Sequence, residues 1–416
     1  MNNVKNIEER IKAQFDIITS ISATESGCTR FSYSKEDILV KEHLIKECLD
    51  IGMTVNMDKI GNLRFKYNPN NLNSKSILVG SHIDTVKNGG KYDGLTGVIC
   101  ALESIKSIDI EKLELKHPIE LVIFAEEEGS NFGVTMLGSK YISKRINDNY
   151  FEKIFNEENV TAKEVIENFN IEGITKRDSF ITGDNELSFI ELHVEQGGVL
   201  EHKGITIGIV DVIAGMKSLK VKINGQSNHA GTTPMVLRKD PLVIAAELII
   251  EISKLPKKLS LDTAVSTVGK IEAKPNVSNV INEEIKFSID IRDGNKNSIE
   301  VMKSEILRLV HDISDRKVVS IEIEELGGSD PVLMSDNIKN IIEESVLKSK
   351  ISYMHLNSGA VHDNAMLDGI IDIGMIFLPS KDGISHSPYE HTDLHDIVYG
   401  YQVLYESLLK LDRFYD

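Results

Sequence analysis

Four short apolar runs in this chain, at 77–79, 119–124, 189–192 and 373–377, each give way to histidine or acid within a few residues. At that length, and bounded by polar residues, such runs read as buried strands. Their exits are Gly80-Ser81-His82-Ile83-Asp84, Ala125-Glu126-Glu127-Glu128-Gly129, His193-Val194-Glu195-Gln196-Gly197 and Gly383-Ile384-Ser385-His386-Ser387-Pro388. Ligands of an open α/β sheet bind outside the carboxyl ends of its strands, so a fold that aligns the four runs gathers these side chains at one edge. A loop carrying Asp93, flanked by Gly89, Gly90 and Gly94, can return to the same point.

Imidazoles and carboxylates without a nearby thiolate suit zinc, manganese or a similar divalent ion. The candidate donors are His82, Asp93, Glu127, Glu128, His193 and His386. A two-metal site is usually built by sharing one carboxylate between ions ~3.5–4 Å apart. Asp84 is spaced to hold the second ring nitrogen of His82 and fix its tautomer. Of the adjacent Glu127 and Glu128, one would ligate. The other would take the proton of a water whose pKa a cation lowers from ~15.7 toward ~7. Each residue alone has an ordinary explanation: a strand histidine is commonly hydrogen-bonded core, and a run of three Glu commonly a solvated face. Four strand ends that all offer ligands at the same edge outweigh it.

At 416 residues the chain is too long for one ordinary core, which makes two domains the expectation. Its 47 basic and 64 acidic residues give a net charge of −17, against a nucleic-acid or anionic-membrane partner. Cys28, Cys48 and Cys100 have no metal-type spacing and an odd count, which argues for a reducing compartment. With no signal-like start and no apolar run of 18 residues, a cytoplasmic protein without membrane spans is expected. Helices are expected at 5–21, 35–51, 95–107, 240–254, 297–314, 335–348 and 394–411, with mostly helix over 137–170. From residue 219 apolar and polar residues alternate, and strands are expected near 262–273, 284–292 and 318–326. That order, strand-helix-strand-strand-helix-strand, is the split βαβ arrangement. It defines a domain at 212–328 inserted into a catalytic domain formed by 1–211 and 329–416. The loop Gly27-Cys28-Thr29-Arg30-Phe31 receives no role.

The motifs GSHIDTVKNGGKYDG, AEEEGSNFG, LHVEQGGVLE, NHAGTTPM, KPNVSNVI, IDIRD and DGISHSP extend over nearly the whole chain. Together they resemble the metal-dependent amidases of the hydantoinase/carbamoylase type, relatives of aminoacylases and di-zinc aminopeptidases. That group includes N-carbamoyl-L-amino-acid hydrolases, allantoate amidohydrolases and β-ureidopropionases. The resemblance implies an α/β catalytic domain of the di-metal exopeptidase kind with an inserted ferredoxin-like (βαββαβ) lid that also forms a homodimer. It implies two divalent metal ions (Zn or Mn), one held by His82 and His193, the other by Glu128 and His386, with Asp93 bridging. Glu127 becomes the general base and Asp84 stands behind His82. His229 is supplied across the dimer interface to polarise the carbonyl oxygen. Asn276, Asn279 and Arg292 match substrate contacts, Arg292 for a carboxylate, and Gln196 and His362 match pocket positions.

Some residues depart from the pattern. Asn131 stands where most members have Arg, and Met216-Lys217-Ser218 stands where allantoate enzymes usually have Gln-Arg-Arg. Asn282 occupies a common Pro position, and Val361 and Asn364 are unusual beside His362-Asp363. The expected activity is cleavage of a ureido C–N bond in a small carboxylate, an N-carbamoyl-L-amino acid or allantoate, releasing ammonia. The rivals are a dipeptidase or aminoacylase on the same scaffold, and a non-catalytic binding protein of this fold.

Overall fold

The structure is a computed structural model that describes residues 2–70, 72–317 and 319–416, with side chains from residue 6 onward. In chain order, helices α1 (Asn2–Thr19) and α2 (Lys35–Leu49) precede strands β1 (Thr54–Met57), β2 (Leu63–Tyr67) and β3 (Ser76–His82). Ser34 caps α2 by accepting from the N–H of Asp37, which satisfies one of the first-turn donors that a helix leaves unpaired. After β3 come α3 (Leu95–Glu111), β4 (Ile119–Phe124), α4 (Leu137–Ile142), α5 (Ala162–Asn168), β5 (Glu186–Val194), α6 (Val199–Lys203) and β6 (Ile207–Ile213). The segment expected to be mostly helical, 137–170, is instead two short helices and a 3₁₀ turn around a small core of Ile60, Phe132, Leu137, Tyr141, Phe151 and Ile166. Its aromatic residues bury locally, so the chain folds back on itself where a long charged helix would have left them in water.

The next stretch holds β7 (Gly215–Asn224), β8 (Asn228–His229), α7 (Pro241–Lys258), β9 (Val265–Thr267), β10 (Ile271–Lys274), β11 (Val280–Ile281), β12 (Glu284–Asp293), α8 (Lys296–Lys317) and β13 (Ser320–Ser329). The first residue of the strand expected from 318 lies outside the described residues. The chain closes with β14 (Val332–Leu333), α9 (Asp336–Ser349), β15 (Tyr353–Ser358), β16 (Asp372–Leu378) and α10 (Leu394–Phe414). No described helix is long and apolar enough to cross a membrane.

Contacts divide the chain into two compact units. One comprises Met1–Asp211, Leu333–Leu356 and Ala360–Asp416; the other comprises Val212–Val332 and Asn357–Gly359. The first is built on a nine-stranded sheet in the order β1-β2-β4-β3-β5-β16-β6-β14, with β15 paired to β6. Its four central strands, β4, β3, β5 and β16, run parallel. All seven residues of β3 and all six of β4 are buried, as expected of parallel strands covered on both faces. The chain leaves β3 for β4 on one side and later returns to place β5 on the other. The gap between the carboxyl ends of β3 and β5 is therefore a topological switch point.

The second unit has a five-stranded antiparallel sheet in the order β10-β12-β7-β13, with β9 also on β12. Along β12 buried and half-buried residues alternate, and Ile285, Phe287, Ile289 and Ile291 join Leu248, Ile252, Met302 and Ile306 of α7 and α8 in one core. The other face of the sheet, carrying Lys220, Ser288, Asp290 and Arg292, is left open by that packing.

The loop that received no role holds the end of β3 in place. Arg30 is 1% exposed, and its Nε donates to the carbonyl of Ile83 at 2.8 Å while Nη1 donates to the carbonyls of Ile18 and Ile21. Its own N–H donates to Thr85 Oγ1 at 2.9 Å. Replacing Arg30 by Met would strand these buried carbonyls and cost about 3 kcal/mol or more. Thermal denaturation should show Arg30→Met melting well below the parent protein, whereas a surface substitution such as Lys91→Met should not.

Candidate metal centre and active site

Two parallel strands and the loop after β16 deliver imidazoles to Asp93. His82 is the last residue of β3 and His193 lies one residue from the end of β5. Their Nε2 atoms stand 3.5 and 3.2 Å from Asp93 Oδ1. On the other oxygen, His386 Nε2 stands 3.4 Å from Asp93 Oδ2 and 3.2 Å from Glu128 Oε2. Ligand-type atoms accordingly group as His82–Asp93–His193 and Asp93–Glu128–His386, with Asp93 common to both. Glu127, 7% exposed, approaches the first group, its Oε2 3.8 Å from His82 Nε2.

The backbone sets the tautomers. His193 Nδ1 faces the carbonyl of Val194 at 2.8 Å, and the Gly94 N–H donates to His193 Nε2 at 3.1 Å. A carbonyl can only accept, so the neutral ring carries its proton on Nδ1 and presents a lone pair at Nε2. His82 is arranged likewise, with Nδ1 3.0 Å from the carbonyl of Asp84. The orienting atom is thus the main-chain oxygen of Asp84. Its carboxylate, 3.6 Å from that nitrogen, accepts instead from the N–H groups of Glu127 and Glu128. Asp84 sits at the strand end with its side chain turned toward the acidic loop, which it pins. Gly94 has φ +63°, and a Cβ there would lie 2.4 Å from His82 Nε2, so only glycine lets the loop close over the imidazole.

Two nitrogen lone pairs directed at one carboxylate oxygen, and a third nitrogen between two carboxylates, form an arrangement that needs positive charge at its centre. Asp84, Asp93, Glu126, Glu127, Glu191, Asp363 and Glu390 are all buried in the same unit, and such carboxylates are costly unless paired or ligated. The donors are nitrogen and oxygen only, since Cys28, Cys48 and Cys100 are free and buried apart from these groups. The residues therefore fit divalent cations of the zinc or manganese kind.

The proton affinities follow from the same crowding. Burial raises Glu127 well above the usual carboxylate range; His82 opposes this, and Asp363, Glu128 and Asp84 reinforce it. Burial and the negative Asp93 push Glu128 up to about 8. For His386 the hydrogen bond to Asp93 outweighs burial and raises it to about 9. Asp93 is moved the other way: burial favours its neutral form, but His193, His386 and His82 hold it well below its ordinary value.

Other expected site residues are placed as follows. Gln196, in the left-handed region at φ +57°, donates from Nε2 to Asp93 Oδ2 at 2.6 Å and stands 3.3 Å from His386 Nε2. His362 is buried with its ring edge-on to His193, centroids 4.6 Å apart. A further grouping of Glu191, His193 and His362 also has ligand-type spacing, but His193 Nδ1 is held by the Val194 carbonyl, its Nε2 faces Asp93, and Glu191 Oε1 accepts from Ser81.

His229, Asn276, Asn279 and Arg292 belong to the second unit. His229 is exposed, and its Nδ1 accepts from the N–H groups of Gly231 and Thr232, leaving Nε2 as the protonated nitrogen. Asn276 is exposed with its N–H on Asn282 Oδ1, and the Asn279 carbonyl accepts from the N–H of Ala230, next to His229. Arg292 makes the strand-end ion pair with Asp290 that is the ordinary role of such a residue, through Nε at 2.8 Å and Nη2 at 3.3 Å. Its Nη1 donates to the carbonyl of Gly359.

Sequence reasoning passed over Ser385, Glu390 and Asn62. Asn62 Oδ1 accepts from the Ala125 N–H while Nδ2 donates to the Gly138 carbonyl, which holds the exit of β4. Nothing in its local pattern marks it out. At the departure from the pattern, Asn131 Nδ2 donates to Glu126 Oε2 and to the Ser32 carbonyl, so an amide occupies the side of Glu126 where a cation would pair.

Comparison with known proteins identifies the family. The sequence pattern described as peptidase family M20/M25/M40 matches residues 78–410. The chain is 37% identical to an N-carbamoyl-L-amino-acid amidohydrolase of Pseudomonas sp. (strain NS671), over 99% of this chain and 100% of that one. It is 34% identical to an allantoate amidohydrolase of Bacillus subtilis (strain 168), over 94% of each. A solved amidase of the hydantoinase/carbamoylase family from Burkholderia multivorans superposes with a TM-score of 0.88 over 97% of both chains, at 27% identity. The chain belongs to peptidase family M20/M25/M40, among its metal-dependent amidases of the hydantoinase/carbamoylase type.

Proposed function

We propose that the protein is an amidohydrolase that cleaves the ureido C–N bond of an N-carbamoyl-L-amino acid, with His82, Asp93, Glu128, His193 and His386 as the residues that would hold two divalent cations. The observation that carries this reading is the division of Asp93, one oxygen facing His82 and His193 and the other facing His386 and Glu128, with Glu127 alongside. Bound at these donors, divalent cations supply Lewis-acid polarisation of the carbonyl and acidify water. Glu127 takes the proton of the attacking water as its oxygen bonds to the ureido carbon, then delivers it to the departing nitrogen as the C–N bond breaks. Its place beside the His82–Asp93–His193 group, with Oε2 3.8 Å from His82 Nε2, puts it within reach of a water bound there. With a terminal carbamoyl group the products are ammonia, carbon dioxide and the free amino acid.

The lid reading of the second unit is supported by its strand order, β13, β7, β12 and β10 side by side, with α7 and α8 packed on one face. In this reading it forms a homodimer and presents His229 to the partner subunit's site. The protonated Nε2 of His229 is a donor, as polarising a carbonyl oxygen requires. Arg292 has five N–H groups and spends three on Asp290 and Gly359, which leaves two for a substrate carboxylate. Met216 on β7 and Val265 on β9 stand directly opposite Arg292 and share its face of the sheet. A carboxylate flanked by apolar groups supports an amino acid with an apolar side chain over allantoate, whose second ureido group wants polar partners.

Four outcomes test this. Glu127→Gln should keep both cations by metal analysis and lose roughly 10²–10⁴ in kcat; near-normal turnover removes Glu127 from its role. Exhaustive chelation should abolish ammonia release from N-carbamoyl-L-methionine and added manganese or zinc should restore it, while activity that survives full metal removal contradicts the two-cation reading. Met216→Gln should cut kcat/KM for N-carbamoyl-L-methionine about tenfold relative to N-carbamoylglycine. Faster hydrolysis of allantoate than of any N-carbamoyl-L-amino acid by the parent protein overturns the substrate assignment.

A further inference from the structure

Asp93 sits in a loop, and nothing in a glycine-rich loop by itself would divide a carboxylate between two sets of ligands. The segment after β16 supplies the restraint. Glu390, only 5% exposed, accepts through Oε1 from the N–H of Tyr92 at 2.9 Å and from the N–H of Asp93 itself at 3.1 Å. Its other oxygen, Oε2, accepts from Ser385 Oγ at 2.8 Å, and that hydroxyl also lies 3.1 Å from Asp93 Oδ2. The close approach depends on Gly90, where a Cβ would fall 2.0 Å from the Glu390 carboxyl carbon. His386, next to Ser385, adopts φ +54°, a backbone conformation that a non-glycine residue holds only when its surroundings impose it.

We infer that Glu390 and Ser385 are positioning residues that clamp the bridging carboxylate: Glu390 fixes the main chain of Asp93, and Ser385 fixes its Oδ2 oxygen to the His386 segment. The inference rests on the two-cation reading above. Because Ser385 touches Asp93 only at Oδ2, the oxygen that faces His386, its loss acts on the Asp93–Glu128–His386 site far more than on the His82–His193–Asp93 site. Glu390 restrains the backbone from which both oxygens project, so its loss acts on both. One serine proton cannot serve two carboxylates at once. A glutamine at 390 resolves that conflict, because its oxygen still accepts from the two N–H groups while its amide donates to Ser385 Oγ, freeing the hydroxyl for Asp93.

The test is a manganese titration of the metal-stripped full-length protein, with free Mn²⁺ read by electron paramagnetic resonance and the melting temperature of the metal-free protein taken in parallel. Ser385→Ala should weaken one of two manganese sites about tenfold and leave the other within about threefold, in the range that orienting partners of metal ligands command. Glu390→Ala should weaken both, and Glu390→Gln should restore both toward the parent values. The clamp is overturned if Ser385→Ala and Glu390→Ala bind two ions as tightly as the parent. It is also overturned if Ser385→Ala weakens both sites equally, or if Glu390→Gln falls as far as Glu390→Ala. A parent protein that takes up fewer than two manganese ions discards the two-cation reading itself, a result distinct from a parent that binds two and variants that do not differ.

Discussion

A carboxylate withdrawn from water must be compensated, and the arrangement around Asp93 answers that requirement. Three imidazoles reach it from two parallel strands and one loop, and main-chain carbonyls fix two of them with lone pairs inward. The parallel pairing of β4, β3, β5 and β16 makes this possible, since it brings the exits of sequence-distant strands to one edge. Burial of His82, His193 and Asp93 there removes most of the solvent that would otherwise screen their charges, while His386 stays exposed. Fold and site are in this sense one constraint: the hydrophobic sheet sets the positions, and the polar edge depends on every strand keeping its register.

How far the sequence disclosed this depended on the range of the interaction. β4 was legible to the residue because Ile119-Glu120-Leu121-Val122-Ile123-Phe124 is a nearly unbroken apolar run after Pro118. The gathering of His82, Asp93, His193 and His386 could be anticipated from repetition, four runs ending in the same chemistry. Segment 137–170 misled because its charged residues dominate the local pattern, whereas Phe132, Tyr141 and Phe151 determine how it packs. α6 was passed over for the opposite reason, being too short at five residues to show a period.

What local pattern could not reveal were restraints between residues far apart in the chain. Glu390 reaches the N–H groups of Tyr92 and Asp93, and Arg30 reaches the carbonyl of Ile83. A buried Arg among carbonyls and a buried Glu among amides look, in a one-dimensional reading, like ordinary surface charges. The carboxylate of Asp84 shows the same difficulty at short range. Spacing alone favoured the imidazole as its partner, while the fold assigned it to two backbone amides of the acidic loop.

The chain enters the second unit twice, once for the long stretch Val212–Val332 and again for three residues, Asn357–Gly359. Those three are not idle passengers: the Ser358 carbonyl receives the N–H of Ala214, and the Gly359 carbonyl receives Arg292. The smaller unit is consequently not a self-sufficient cassette that could be excised or swapped between relatives at two cut points. A chimera that exchanged only the long stretch would inherit a guanidinium whose acceptor came from the other parent, and recombination in such proteins should favour crossovers that keep these two separated pieces together.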